Sequence, residues 1–290
     1  MKALYDLPAP AKLNWFLHVT GRRPDGYHLL QSVFMLIDWH DTLHVERRMD
    51  GEVTRQDLGS ALPPDDLCLR AARALQAASG TRDGAHLSIE KRIPAQAGMG
   101  GGSSDAATVL LALNRLWGLD WPLEPLARLG LGLGADVPFF LHGGNAWVEG
   151  IGERITPVAL PRCRWLVVKP SEGLETARIF SSPGLQRATK SATIADFAAS
   201  AACEGHLFGR NDLQPVAQTL APGVAAALAW LDAQGLEGRM TGSGSAVFAR
   251  LSSGVEPMKV PHGWQSRVCG NLAVHPLQGW VRRDSSSVGG

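Results

Sequence analysis

Lysine is scarce in this 290-residue chain: six occur among its 28 Lys and Arg residues. A lysine in an unusual setting therefore stands out. Charge of either sign is not in excess, since 28 cations face 27 Asp and Glu, for a net charge of +1. That balance argues against a nucleic-acid partner, which calls for a strong basic excess. Long apolar runs are absent; none approaches the roughly 18 residues of a membrane span. The opening MKALYDLPAP lacks the apolar core of a signal peptide. Cysteines number four, at Cys68, Cys163, Cys203 and Cys269, and none are spaced as C-x-x-C. Their even number weakly allows disulfides, but their spread suggests reduced thiols in a cytoplasmic protein. No internal repeat and no obligate protein partner is evident. The length suits two domains and needs no covalent staples.

Glycine, by contrast, is concentrated. A run at 85–93 alternates like a strand, and Pro94 ends it. Gly98, Gly100, Gly101 and Gly102 follow, then Ser103, Ser104 and Asp105. Residues 106–117 have helical spacing, with Ser103, Ser104 and Asp105 as N-cap candidates. A glycine loop entering a helix N-terminus offers bare N–H groups and a positive dipole end to an anion. The loop is not a Walker A motif, because no Gly-Lys-[Ser/Thr] closes it. It is not a dinucleotide fingerprint either, because Ser103 takes the place of the third glycine. The competing reading is a flexible strand-to-helix connection.

Other stretches carry fewer signals. Residues 4–19 read as a strand, with Pro8 and Pro10 near an edge and Lys12 and Asn14 on one side. Lys12 sits either on a solvated face or in a site. A turn at 20–28 leads to Tyr27 and His28, an aromatic and an imidazole suited to a base or to the core margin. Residues 29–45 read as strand, broken near 38–41, and 51–64 as loop. Helical spacing covers 67–78, capped by Asp65 or Asp66, and a short helix covers 122–129. At 134–141, GADVPFFL sets Asp136 among apolar side chains, as a structural cap or as a carboxylate needing a cation nearby. Strands are expected at 145–150, 164–170 and 264–274, a loop at 151–161, a helix or turn at 175–180, and helices at 194–202 and 224–234. A second glycine cluster, Gly242 and Gly244, is either a hairpin bulge or a backbone wall near the first loop.

Together PAKLN at 10–14, the glycine loop at 98–104 and TGSGS at 241–245 resemble the three motifs of the GHMP kinase superfamily. The resemblance runs from about residue 10 to about residue 277. It implies an α+β fold of two α/β domains with the active site in the cleft between them. We expect the domains at 1–160 and 161–282, with a flexible tail at 283–290. PAKLNWFLHVTGRRPDGYHLLQSVF at 10–34 and GADVPFFL further resemble the branch whose substrate carries a cytidine diphosphate.

The same resemblance implies the residue roles. Asp136 would be the general base, with Lys12 beside it. Lys91, Leu67 and the segment Pro94, Ala95, Gln96, Ala97, Gly98, Met99, Gly100, Gly101, Gly102, Ser103 and Ser104 would hold ATP. Ser103 or Ser104 would approach Mg2+, for which no clear acidic ligand is visible. Tyr27 and Phe180 would stack on cytosine, His28 would hydrogen-bond it, and Asn14 and Thr176 would be further substrate contacts. The partners implied are ATP and a small cytidyl substrate. Other readings are a homoserine or mevalonate type of GHMP kinase and a non-catalytic binding member. Tyr27, His28 and Phe180 weigh against the former, and Lys12 with Asp136 against the latter.

Overall fold

A computed structural model describes residues 1–201, 207–252, 254–256 and 259–282. Cys203 and the expected tail at 283–290 lie outside the described residues. In chain order the elements are β1 (Ala3–Arg22), β2 (His28–Arg48), β3 (Val53–Asp57), α1 (Leu67–Ser79), β4 (Gly84–Glu90), α2 (Gly101–Leu116), α3 (Leu123–Leu133) and α4 (Val137–His142). There follow β5 (Ala146–Gly150), β6 (Arg154–Pro157), β7 (Arg164–Lys169), α5 (Thr176–Phe180), α6 (Ile194–Ala201), α7 (Gln214–Leu220), α8 (Pro222–Asp232), β8 (Gly238–Met240), β9 (Val247–Leu251) and β10 (Gln265–Gly270). No helix among the described residues is long and apolar enough to cross a membrane.

Two sheets organise the chain. The first has six strands in the order β3-β4-β2-β5-β6, with β1 paired to the free side of β2. The second has four, in the order β10-β7-β9-β8. As an edge strand, β1 tolerates Pro8 and Pro10 opposite Thr42 and His40. It also threads all three apolar cores. Leu7 and Ala9 pack with α1 to α4 on the first sheet. Ala11, Leu13 and Trp15 pack between the sheets against Trp165 and Phe248. Leu17 and Val19 join the core of α7, α8 and the second sheet. The alternate residues Lys12 and Asn14 therefore point away from the inter-sheet core, as period-two geometry requires.

Several boundaries differ from expectation. β2 is unbroken at 38–41, because the carboxylate of buried Asp41 is fully engaged and does not interrupt the ladder. The stretch 51–64 contains β3, which pairs parallel to β4, and the stretch 151–161 contains β6. The short α7 was not anticipated. After β10, Leu272, Leu277, Trp280 and Val281 return to the first core.

The two glycine clusters meet backbone to backbone. Ser245 N donates to Gln96 O at 3.1 Å and Ala246 N to Ala97 O at 3.2 Å. Gly98 has φ +72°, and a Cβ there would lie 2.2 Å from Thr241 O. Gly242 has φ +53°, and a Cβ would lie 2.6 Å from Gly98 O. Backbone conformation and contact thus both exclude side chains. Gly98→Ala should cost about 2–4 kcal/mol in urea unfolding; an unchanged midpoint would show that the contact relaxes freely.

Candidate active site

The glycine loop opens directly onto α2. Gly100 is the N-cap, in the left-handed region at φ 71°, and no side chain caps the helix. The helix starts at Gly101, five residues before the expected start, so Ser103, Ser104 and Asp105 lie inside it rather than at the cap. Glycine at the N-cap leaves the first-turn N–H groups of Gly101 and Gly102 without a competing side chain. Close packing fixes the turn, since a Cβ at Gly100 would lie 3.0 Å from the Phe140 ring and 3.3 Å from Lys12 Cε. Pro94, Ala95, Gln96, Ala97, Gly98, Met99, Gly100, Gly101 and Gly102 all line one cleft of about 780 Å3.

Ser104 is placed otherwise. It is fully buried and its hydroxyl donates to Pro10 O at 2.7 Å. The expectation that it approaches a metal is therefore corrected: the hydroxyl anchors α2 to β1. Ser103 does not line the cleft; a Cβ on Gly134 would lie 3.7 Å from its hydroxyl. Among the described residues no group of three His, Cys, Asp or Glu side chains could hold a metal ion.

Lys12 reaches the cleft from β1. Its Nζ donates to Asn14 Oδ1 at 2.6 Å, lies 3.5 Å from Asp136 Oδ2 and sits 4.7 Å from the Phe34 ring centroid. The ladder between β1 and β2 shifts register between Pro10 and Lys12, and Lys12 N donates instead to Met99 O at 3.0 Å. The irregularity thus aims the lysine and ties it to the loop. Asn14 is held in turn: its Nδ2 donates to Ser32 Oγ at 2.9 Å and its N to Thr241 Oγ1 at 3.0 Å. Asp136 precedes α4 but makes no capping hydrogen bond. Its side chain is 30% exposed against 4% for Lys12, so a buried cation faces a carboxylate open to the cleft. The cap reading of Asp136 is not what the structure shows.

Lys91 is the centre of a second ionic group. Its Nζ contacts Asp41 and lies 2.5 Å from Asp105 Oδ2. Asp41 also accepts from Arg92 N and from Ile93 N at 2.5 and 2.8 Å, pinning the strand-to-loop junction. Burial works against the lysine's charge, but Asp105 and Asp41 outweigh it and hold its pKa above the ordinary value. Burial, with Asp41 alongside, overrides Lys91 and pushes Asp105 up to about 8. Leu67 starts α1 on the same wall, beside Gly102. Asp66, its N-cap, accepts from Leu69 N at 3.1 Å and pairs with Arg55 at 2.6 Å.

The far end of the cleft belongs to α5. Thr176 and Phe180 line it, and Thr176 Oγ1 is 2.7 Å from Ser243 Oγ, joining α5 to the second glycine cluster. The expected aromatic pair is not assembled. Tyr27 is 61% exposed and does not line the cleft. The ring against Phe180 is His28, at 5.0 Å and an interplanar angle of 31°. Tyr27 lies on a surface turn, where nothing in the described chain draws its ring inward.

Sequence reasoning missed Asp41 and Asp105 as partners of Lys91. Asp41 resembled a strand break and Asp105 a helix cap, and only the fold brings three positions so far apart together. It also missed Ser243 as a cleft residue, although Gly242 and Gly244 flank it.

Residues 66–144 match the model of the GHMP kinases N terminal domain, and 196–267 that of the GHMP kinases C terminal domain. The 4-diphosphocytidyl-2-C-methyl-D-erythritol kinase of Variovorax paradoxus is 65% identical over 97% of this chain and all of its own length. This chain belongs to that family of GHMP kinases. The counterpart of the same name in Paracidovorax citrulli is 64% identical over 97% of this chain and 99% of its own. A crystal structure of a 4-(cytidine 5'-diphospho)-2C-methyl-D-erythritol kinase superposes with a TM-score of 0.76 at 33% identity, covering 91% of this chain and 99% of that one. A homoserine kinase from Cytophaga hutchinsonii, at 14% identity and a TM-score of 0.66, shares the fold.

The Lys91 group in this GHMP kinase makes a pH-dependent contribution to stability. Asp105 is raised, so the folded state keeps a proton that the unfolded chain releases above about pH 4. Its contribution is therefore full below pH 4 and is lost as pH rises towards about 8. Asp105→Asn removes that titration. Between pH 5 and pH 8 its Tm should fall less steeply than the parent's, as read by calorimetry; parallel Tm profiles would contradict the upward shift of Asp105.

Proposed function

We propose that this GHMP kinase transfers the γ-phosphoryl group of ATP to the 2-hydroxyl of 4-diphosphocytidyl-2-C-methyl-D-erythritol. The observation that carries the reading is the Lys12–Asp136 pair, 3.5 Å apart, in the same cleft as an uncapped helix N-terminus fed by glycines. The full-length identity to relatives of that name supports the substrate.

The roles follow from the chemistry each group offers. The loop from Pro94 to Gly102 and the start of α2 hold the ATP phosphates through backbone N–H groups and the helix dipole. Leu67 and Lys91 lie on the adenine side. Asp136, open to the cleft, accepts the acceptor's hydroxyl proton. Lys12, buried and oriented by Asn14, stands 3.5 Å from that carboxylate and faces the charge passing between donor and acceptor. A tertiary alcohol is crowded and weakly acidic, so in-line positioning matters as much as the base. Phe180 and His28 receive the cytosine, with Tyr27 covering the open face of the ring and Thr176 contacting the substrate beside them. Binding energy at the base orients the reacting oxygen at the other end. Magnesium would enter on the nucleotide, since this cation keeps water and phosphate oxygens as most of its ligands; the described side chains form no ready set for it. We divide the chain near residue 160, with β1 to β6 on the nucleotide side and β7 to β10 on the side of α5.

Asp136→Asn should lower kcat by about 10²–10⁴-fold with ATP, Mg2+ and the cytidyl acceptor. Its affinity for the acceptor, measured by calorimetry, should be retained. Normal turnover would remove Asp136 from the role of base. Phe180→Ala should raise KM for the acceptor about tenfold or more through loss of about 1–3 kcal/mol of stacking, with KM for ATP unchanged. An unaltered acceptor KM would mean that the base binds elsewhere.

A further inference from the structure

Arg187 belongs to none of the three motifs, yet its guanidinium is heavily committed beside the cleft. Nε donates to His28 Nε2 at 3.0 Å. Nη1 donates to Leu185 O at 3.1 Å, and Nη2 to Phe180 O at 3.1 Å and Ser182 O at 2.7 Å. One side chain therefore ties the backbone turn that carries Phe180 to the ring that lies against Phe180.

The bond to His28 has a chemical consequence. A guanidinium only donates, so His28 Nε2 must accept. A ring nitrogen that accepts carries no proton. The imidazole is therefore neutral, with its single hydrogen on Nδ1. Burial, then the charges of Arg187 and Arg22, disfavour the imidazolium in the same direction. Nδ1 has no hydrogen-bond partner among the described residues. A ring without Arg187 would distribute between both tautomers and the charged form.

We propose that Arg187 is a positioning residue for the base: it locks His28, which stands outside the cleft lining but against the Phe180 ring that lines it, as the Nδ1–H tautomer, so that a fixed donor beside Phe180 meets the acceptor edge of cytosine. This rests on the cytidyl-acceptor reading above. The base's N3 and O2 are acceptors, and a histidine with Nδ1 unprotonated would set a lone pair against them.

Two measurements test this. The first needs no variant and no substrate. In ring-15N-histidine-labelled protein at pH 7.5, long-range 15N–1H spectra should show His28 as the neutral Nδ1–H tautomer. An Nε2–H or charged ring would overturn the proposal. The second is a double-mutant cycle. Arg187→Met should raise KM for the cytidyl acceptor about tenfold, the effect of one lost or mispaired hydrogen bond. Its kcat should stay within about twofold and its KM for ATP should not change. Asparagine supplies an amide N–H close to the Nδ1 position whatever Arg187 does. In a His28→Asn background, Arg187→Met should therefore raise the acceptor KM by about twofold or less. An equal rise in both backgrounds would show that Arg187 merely braces the turn, and would overturn the tautomer role. Arg187→Lys keeps one donor and should keep the Nδ1–H spectrum. Absence of turnover with the cytidyl acceptor in the parent enzyme would sink the functional reading instead, while the substrate-free spectrum would still judge Arg187.

Discussion

The contact on which the site depends is between two stretches of bare backbone. Residues 96–98 and 241–246 are joined by Ser245 N to Gln96 O and Ala246 N to Ala97 O, with Gly98 and Gly242 pressed together at distances that admit no Cβ. One stretch leads into α2 from the first sheet, and the other joins β8 to β9 in the second. Backbone hydrogen bonds between them set how far apart the sheets' cleft-facing edges stand. Thr241 carries the constraint inward: its hydroxyl accepts from Asn14 N, and Asn14 Oδ1 accepts from Lys12. A loop contact is thereby coupled, through two side chains, to the lysine that faces Asp136. Misplacement of the loops would be felt at the reacting groups, where small displacements are costly.

Legibility in the sequence followed the range of the interaction. The phosphate loop could be read because its signal is local: four glycines in five positions at the entry to a helix admit few physical explanations. Lys12 and Asn14 could be placed on one side because strand alternation is local too. The second glycine cluster could be read only as one of two options, since nothing in TGSGS says what its backbone approaches. Asp41 was illegible for the opposite reason. A carboxylate in an apolar strand looks like an interruption until Lys91, Arg92 and Ile93 are seen around it. The cap of α2 was misread because serines and aspartate are good caps in general, and here glycine does the work so that the N–H groups stay bare. Tyr27 is legible by motif alone: the fold of the chain leaves its ring on the surface and sets His28 against Phe180, so its part in stacking is a proposal about the bound base.

Scarcity of lysine has a counterpart in the cleft. Its only cationic lining residues among those described are Lys12 and Lys91, against Asp66, Asp105, Asp136 and Glu175. Lys91 is already committed to Asp41 and to the proton-holding Asp105, and Lys12 faces Asp136. A pocket meant for polyphosphate is thus not generally basic. An anion entering it must be held by fixed dipoles, the N–H groups of the glycine loop and the α2 terminus, more than by mobile charges. Backbone dipoles are set by the fold and do not reorganise as charge shifts from one oxygen to another. The single lysine left at the reacting end then acts where charge moves, not where it rests. That division explains why glycine geometry is guarded so tightly here: with few cations available, backbone position is the electrostatics.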